Sequence, residues 1–149
     1  MPIAIKDSTI DITSEKLTKE LAKEFTKFLR GGEFVLLYGE MGVGKTTFVK
    51  YFINEYQKIN YLSQTEITSP TFSLLNEYQV KDIRIKHYDL FRINRKEDIS
   101  DLDIFEKDNK LITLIEWPQL IADTQEIKFI ALAFNYLNDL NDRSVEIKV

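Results

Sequence analysis

Residues 34–50 read FVLLYGEMGVGKTTFVK and combine an apolar run, a glycine-rich loop and the beginning of a further apolar pattern. The run Phe34–Tyr38 is apolar without alternation, which predicts a fully buried strand. Residues 39–46, GEMGVGKT, match the phosphate-binding pattern GxxxxGK[ST], and Lys45–Tyr56 then continues at helical spacing. The order strand, glycine-rich loop, helix is the context that this pattern requires. The stretch therefore predicts a phosphate-binding unit within an α/β layer structure.

The residue types of the loop explain how it would hold phosphate. Gly39, Gly42 and Gly44 allow tight turns that point backbone N–H groups inward, where the first helical turn adds its own unpaired donors. The Lys45 ammonium can reach the β and γ phosphates, and the Thr46 hydroxyl is placed to bind magnesium. We predict a nucleotide site formed by Gly39, Glu40, Met41, Gly42, Val43, Gly44, Lys45, Thr46 and Thr47.

Length and composition limit the class of protein. The 149 residues are enough for one domain with a real core, and we expect a single domain over residues 1–149. Of these residues 44% are hydrophobic and 30% charged, which is typical of globular chains. The absence of cysteine excludes disulfides and thiolate metal sites, and one histidine argues against zinc.

Charge and hydropathy indicate where the chain acts. We find neither a secretory leader nor an apolar stretch of membrane-spanning length, so we expect a cytoplasmic protein without membrane contact. The formal net charge of −4 argues against a surface that holds a nucleic-acid backbone by itself. If nucleic acid is involved, a partner is expected to hold it.

The remaining apolar patterns predict further elements around the loop. From Ser14 to Arg30 the apolar residues recur at helical spacing, with a stripe of lysines on the opposite, solvent-exposed face. Strands are predicted at Ser8–Thr13, Phe72–Tyr78, Ile83–Asp89, Leu111–Ile115, Phe129–Phe134 and Ser144–Val149, with hairpin turns at QVKD and NDLND. The predicted fold is a P-loop NTPase-like three-layer sandwich with a mixed, partly parallel sheet and antiparallel hairpins.

Two carboxylates are candidates for the magnesium end of the site. Such sites usually have an acid at the end of a neighbouring buried strand, and Glu116 follows the apolar run LITLI directly. Asp89 ends the strand RIKHYD, where it shares one face with His87 by the period of two. From the strand pattern alone, a functional Asp89 and a solvated strand end are equally plausible. A lone histidine such as His87 is usually a hydrogen-bonded, half-buried residue.

Glycine and arginine positions narrow the reaction class. All five glycines lie between Gly31 and Gly44, so no later DxxG turn can sense a γ-phosphate, and Asn109-Lys110 lacks the acid of a guanine-reading NKxD motif. Both observations argue against a GTPase. The five arginines are scattered rather than clustered in a lid, which argues against a small-molecule kinase. A kinase nevertheless remains an alternative, as does a binding module gated by nucleotide.

Four motifs in fixed order resemble one protein family. GEMGVGKTTF at 39–48, TSPTFSLLNEY at 68–78, HYDLFR at 87–92 and LIEWP at 114–118 resemble the bacterial TsaE family, formerly YjeE. The first helix, EKLTKELAKEF, is also similar to that of the family. This resemblance implies a P-loop ATPase subunit of the system that makes threonylcarbamoyladenosine in tRNA, with ATP and Mg²⁺ as cofactors.

The resemblance also implies roles for individual residues. Lys45 and Thr46 would bind phosphate and magnesium, Glu116 would stand at the magnesium, and Asp89 would be a second functional carboxylate. We therefore expect Glu116, Asp89 and Lys45 to be catalytic, with Thr46 and Glu116 as metal ligands. Residues 68–72 would form a switch in which the Ser69 and Thr71 hydroxyls sense the γ-phosphate or the metal.

Nucleotide contacts are implied at both ends of the chain. Glu15, at the start of the first helix, would lie against the adenine. Arg143 would contact the nucleotide, although the family often has glycine before this arginine where the present chain has Asp142. The implied partners are TsaB-like and TsaD-like proteins, which transfer the threonylcarbamoyl group, and tRNA would be reached only through that complex. No arginine of the chain is an obvious arginine finger, the residue that stabilises charge in the transition state. We therefore expect slow ATP hydrolysis by the isolated chain.

Overall fold

The computed structural model of the chain describes residues 8–70, 72–123, 128–138 and 141–149. Two α-helices and seven strands lie within these ranges, together with two short 3₁₀ segments at Lys96–Leu102 and Pro118–Leu120. In chain order they are β1 (Ser8–Asp11), α1 (Glu15–Phe28), β2 (Phe34–Tyr38), α2 (Lys45–Ile59), β3 (Leu75–Val80), β4 (Ile83–Asp89), β5 (Leu111–Glu116), β6 (Phe129–Tyr136) and β7 (Arg143–Lys148).

All seven described strands belong to one mixed sheet with the order β1-β7-β6-β2-β5-β4-β3. The four central strands β6, β2, β5 and β4 run parallel. The β3–β4, β6–β7 and β1–β7 pairs are antiparallel and extend the sheet at both edges. The predicted mixed α/β sheet is confirmed, and its parallel centre brings the carboxyl ends of β2, β5 and β4 to one edge.

Both α-helices cover the same face of the sheet and form the larger core. The Ser14 hydroxyl caps α1 by accepting from the Leu17 N–H, and the buried stripe of α1 packs on α2. The Phe48 ring of α2 lies edge-on to Phe25 of α1, with ring centroids 5.5 Å apart, and also contacts Phe134 of β6. The lysines of α1 are exposed, as predicted. This packing fixes α2, and with it the loop that precedes it, against the sheet.

The opposite face of the sheet is covered by the segment between β4 and β5 and by the turn after β5. The Tyr88 hydroxyl donates to the Leu102 carbonyl at 2.6 Å. Lys86, also on this face, donates from Nζ to Glu106 Oε1 at 2.7 Å. Ile104 and Ile121 complete a smaller apolar core with Tyr88. In the described residues this third layer contains 3₁₀ turns in place of α-helices.

The prediction of a strand at Phe72–Tyr78 is wrong at its start. The Leu74 N–H donates to the Pro70 carbonyl at 2.8 Å and Leu74 has a φ of 67°, so this part of the chain is a turn and β3 begins at Leu75. Phe72 is 88% exposed. The hairpin turn is Lys81-Asp82, since Val80 pairs with Ile83.

Other boundaries differ by a few residues. Helix α2 continues beyond Tyr56 to Ile59, and β6 continues beyond Phe134 to Tyr136. Positions 139 and 140 of the predicted NDLND turn lie outside the described residues. Within the described ranges, no helix combines the length and the apolar character needed to cross a membrane.

Candidate nucleotide-binding site

The loop between β2 and α2 has the backbone that phosphate binding requires. Gly39, Gly42 and Gly44 have φ values of 145°, 81° and 119°, in the region that glycine adopts readily. A Cβ on Gly39 would lie 2.8 Å from the Phe134 carbonyl oxygen, so only glycine fits there. Gly44 is the N-cap of the 15-residue helix α2, and no side chain caps the first turn. The N–H groups of that turn are therefore available to an anion.

Lys45 is buried between the loop and the residue that follows β5. Its Nζ donates to the Gly39 carbonyl and lies 3.6 Å from the centroid of the Trp117 ring. Burial lowers the pKa of Lys45, and the carboxylates of Glu116 and then Asp89 oppose that shift. Trp117 itself adopts a φ of 56° directly after the strand, which turns its ring back over the loop.

Thr46 and Glu116 form the candidate magnesium end of the site. The Thr46 Oγ1 lies 3.0 Å from both Glu116 Oε1 and Glu116 Oε2. Because β4 and β5 are parallel and Asp89 pairs with Glu116, both acids stand at the same edge of the sheet. A hydroxyl and a carboxylate are hard oxygen ligands, and magnesium is typically held by one or two of these together with phosphates and waters. The residues fit such an ion.

A dedicated all-protein metal cage is not present in the part of the chain that the structure describes. No group of three or more histidine, cysteine, aspartate or glutamate side chains is placed to hold an ion there. Magnesium that arrives with a nucleotide needs no such cage, because the phosphates supply ligands.

Asp89 is largely buried and is hydrogen-bonded to two segments. Its Oδ1 accepts from the Phe91 N–H at 3.0 Å, and its Oδ2 accepts from the Ser69 hydroxyl at 3.5 Å. Burial raises the pKa of Asp89, the Phe91 N–H opposes the shift, and the nearby Glu116 charge raises the pKa further. Ser69 belongs to the predicted switch at 68–72, and its hydroxyl lies beside Asp89. Thr71 lies outside the described residues.

A cavity of about 300 Å³ unites most of the predicted site. Its wall is formed by the loop, the start of α2 and both acids, together with one serine from the switch and two aromatic side chains. The lining residues are Met41, Gly42, Gly44, Lys45, Thr46, Thr47, Ser69, Asp89, Phe91, Glu116 and Trp117. Gly39, Glu40 and Val43 support the loop without lining the cavity.

Arg143 contacts the loop from the side, Glu15 lies at the start of α1, and neither lines the cavity. The Arg143 guanidinium donates from Nη2 to the Thr13 carbonyl at 3.1 Å and from Nη1 to the Val43 carbonyl at 3.5 Å. Glu15 is exposed at the start of α1, near Tyr51 of α2. Arg143 thus contacts the loop, whereas Glu15 lies beside α2; contact of Arg143 with the nucleotide and of Glu15 with the adenine stay predictions.

Two contributions to the site were not predicted from the sequence. His87 is completely buried, and its Nε2 lies 2.6 Å from Glu116 Oε2. Phe91 lines the cavity and packs on Trp117 with ring centroids 4.8 Å apart. The period of two on β4 indicated that His87 and Asp89 share a face, but only the β4–β5 register places Glu116 beside them. No sequence signal indicated the position of Phe91.

The chain is similar to one family model and to curated proteins that bear the same family name. Residues 12–145 match the family model described as threonylcarbamoyl adenosine biosynthesis protein TsaE. A curated relative from Rickettsia typhi, tRNA threonylcarbamoyladenosine biosynthesis protein TsaE, is 38% identical over 137 residues, which are 92% of each chain. Proteins of the same name from Aquifex aeolicus and Bacillus subtilis are 35% and 33% identical. The matches cover 72% and 71% of this chain, and 74% and 63% of theirs.

A solved structure supports the fold independently. The crystal structure of Bacillus subtilis YdiB superposes with a TM-score of 0.69 at 23% sequence identity. The match covers 94% of this chain and 83% of the other.

Proposed function

Because the chain belongs to the TsaE family of threonylcarbamoyl adenosine biosynthesis proteins, we propose that it binds ATP and hydrolyses it slowly to support tRNA threonylcarbamoylation. The relatives carry tRNA threonylcarbamoyladenosine biosynthesis in their names. The modified position in this proposal is the adenosine beside the anticodon. The chain acts in the cytoplasm on a transferase complex of TsaB-like and TsaD-like proteins, and it does not transfer the group itself.

The main support for the proposal is the set of side chains that line the cavity at the end of the glycine-rich loop. A cation and a hydroxyl from the start of α2 meet two carboxylates from the ends of β4 and β5. These are Lys45, Thr46, Asp89 and Glu116. The uncapped N-terminus of α2 supplies N–H donors for the phosphates, and Lys45 adds a positive charge. A site for a small neutral ligand would not need this set of charges.

Each side chain has a distinct task in the proposed reaction. Lys45 binds the terminal phosphates, Thr46 and Glu116 hold magnesium, and Asp89 orients the attacking water or accepts its proton. When bound, magnesium neutralises charge that develops on the phosphate oxygens. Ser69, through its hydroxyl contact with Asp89, links the 68–72 segment to the reacting end of the nucleotide.

The cavity lining supports slow turnover by the isolated chain. Among its described residues Lys45 is the one cation, while Arg143 is engaged with two backbone carbonyls. Phosphoryl transfer to water depends on positive charge around the transferred group, and an added arginine typically accelerates it by about 10³-fold or more. We expect the partner complex to supply or assemble this element, so that hydrolysis resets the complex between rounds.

Reconstitution tests the proposal directly. The chain is added to purified TsaB-like and TsaD-like partners with tRNA, ATP and a preformed, activated threonylcarbamoyl donor, and both modified tRNA and released phosphate are measured. We expect repeated rounds of modification only when the chain is present, and faster ATP hydrolysis with partners than without. Rapid hydrolysis by the chain alone, or modification that does not depend on it, would contradict the proposal.

A small-molecule kinase is tested with the same preparation. Nucleosides and common metabolites are offered together with ATP, and phosphorylated products are sought by mass spectrometry. We expect none, because the arginines of this chain are not grouped into a lid over the cavity.

A further inference from the structure

His87 occupies an unusual position for a polar side chain. It lies on β4, completely buried, on the same face of the sheet as Asp89. Asp89 pairs with Glu116 across the parallel β4–β5 ladder, and His87 stands two residues earlier on that face. As a result, His87 Nε2 reaches Glu116 Oε2 at 2.6 Å from beneath the cavity.

The hydrogen bond defines which ring nitrogen carries a proton. An ionised carboxylate can only accept, so the ring must donate from Nε2. His87 Nδ1 is buried, and it has no hydrogen-bond partner within the described part of the chain. The ring is therefore assigned a proton on Nε2.

Packing alone does not account for an imidazole at this position. Burying Nδ1 without a partner costs about 1–3 kcal/mol, whereas a leucine or phenylalanine side chain would leave no polar atom unpaired. The neighbours of His87 on the same face, Ile85 and Ile83, are aliphatic. What the polar ring contributes is its hydrogen bond to Glu116.

We propose that His87 is the positioning residue for Glu116. Its Nε2–H holds Oε2, and the Thr46 hydroxyl contacts both carboxylate oxygens. Held from two directions, the carboxylate cannot rotate freely, and its orientation as a magnesium ligand is set before nucleotide arrives. This inference rests on the proposed role of Glu116 at the magnesium.

Two substitutions separate the hydrogen bond from the general packing of the ring. Glutamine places its amide nitrogen the same number of bonds from Cβ as histidine Nε2, whereas the asparagine amide reaches only the position of Nδ1. His87→Gln therefore keeps the donor to Glu116, and His87→Asn loses it. Ile85→Val, on the same strand and face, serves as a control for small losses of core packing.

The measurement is the binding of a non-hydrolysable ATP analogue by calorimetry, in EDTA and over a magnesium titration. We expect all variants to bind the analogue equally in EDTA. Compared with wild type, His87→Asn should need at least about 10-fold more magnesium to reach its full affinity. Losses of this size are typical when a residue that orients a metal ligand is removed. His87→Gln and Ile85→Val should stay within about 3-fold of wild type by the same comparison.

Equal magnesium requirements for His87→Asn and wild type would overturn the inference, as would equal losses in the Asn and Gln variants. In a Glu116→Gln background, His87→Asn should add no further loss, because its effect passes through the carboxylate. If a variant fails to fold, nitrogen NMR of the wild-type ring remains decisive. We expect a proton on Nε2, and a proton on Nδ1 instead would overturn the assignment.

The same experiment distinguishes two kinds of failure. If Glu116→Gln keeps the magnesium dependence of wild type, the proposed role of Glu116 fails, and that of His87 fails with it. If Glu116→Gln loses this dependence while His87→Asn keeps it, the site stands and only the positioning role is wrong.

Discussion

The ammonium nitrogen of Lys45 lies 3.6 Å from the centroid of the Trp117 ring, so an aromatic face holds the lysine of the phosphate-binding loop. The same ammonium donates to the Gly39 carbonyl within the loop. A phosphate group entering the loop competes with both contacts for the same charge. The resting position of Lys45 is thus part of the energetics of nucleotide binding.

Replacing Trp117 should change nucleotide affinity. Loss of the ring in Trp117→Ala frees Lys45 from a contact that phosphate has to displace, and we expect ATP to bind roughly 2- to 10-fold more tightly. Trp117→Phe, which retains a weaker aromatic face, should be intermediate. Calorimetry measures Kd for the three proteins. Weaker binding in Trp117→Ala would mean that the ring supports Lys45 in the bound state instead.

Substitutions of Lys45 and Glu116 distinguish an ATPase from a binding module that only needs nucleotide to be bound. Lys45→Ala removes a charged contact to phosphate, and we expect ATP binding to weaken roughly 10- to 100-fold. Glu116→Gln should still bind ATP in EDTA but lose hydrolysis and support of tRNA modification. The assays are calorimetry, phosphate release and reconstituted modification. Full support of modification by Glu116→Gln would favour a nucleotide-gated binding module over an ATPase.

The local part of the fold was predictable because its signals are local. The run Phe34–Tyr38 and the glycine loop lie next to each other in sequence, and β2, the loop and α2 follow as expected. The start of β3 was not predictable in this way. Phe72 and Leu74 alternate with polar neighbours as in a strand, but a turn closed by the Pro70 carbonyl gives Leu74 a positive φ.

That several candidate residues would lie together was predictable, but their contacts were not, and their roles in binding and catalysis stay predictions. The residues predicted to be catalytic or to bind metal, Lys45, Thr46, Asp89 and Glu116, all line the one cavity. The contact of His87 with Glu116 depends on the register of two strands whose pairing residues are 27 positions apart, as for Asp89 and Glu116. Strand order in a parallel sheet arises from packing over the whole chain, so no short motif contains it.

The ion pair between Lys86 and Glu106 joins β4 to the segment that covers one face of the sheet. Its contribution to stability should depend on pH. Hydrogen bonds from Lys86 and then Arg84 hold the pKa of Glu106 below its usual range. The stability that Glu106 contributes is therefore present above its unfolded pKa and is lost as pH falls through the lower folded pKa.

We expect Glu106→Gln to lower the free energy of unfolding at pH 7 by about 1–3 kcal/mol, because the buried Lys86 loses its carboxylate partner. The difference from wild type should shrink as pH falls through the folded pKa. Urea unfolding at pH 7 and at acid pH measures it. Glu97→Gln, on the exposed 3₁₀ segment, is the control. A difference that does not change with pH would exclude the ion pair as its source.

The stability contributed by Asp89 should depend on pH in the opposite direction to that of Glu106. Because burial raises its pKa, the folded state binds a proton more readily than the unfolded state does, and this stability is lost as pH rises from the unfolded pKa through the folded one. Asparagine keeps the oxygen that accepts from the Phe91 N–H and carries no charge to desolvate. Asp89→Asn should therefore be more stable than wild type at pH 7, with the gain disappearing towards low pH.

The same substitution should abolish catalysis, because an amide cannot accept the proton of an attacking water. We expect partner-stimulated ATP hydrolysis to fall by about 100-fold or more, the usual scale for loss of a general base. Affinity for ATP should change little. Asp82→Asn, in the exposed turn at the far end of the same hairpin, is the matched control and should leave both activity and stability close to wild type. A stabilised Asp89→Asn protein that hydrolyses ATP at the wild-type rate would remove Asp89 from the reaction, and would leave the desolvated carboxylate without a function that offsets its cost to stability.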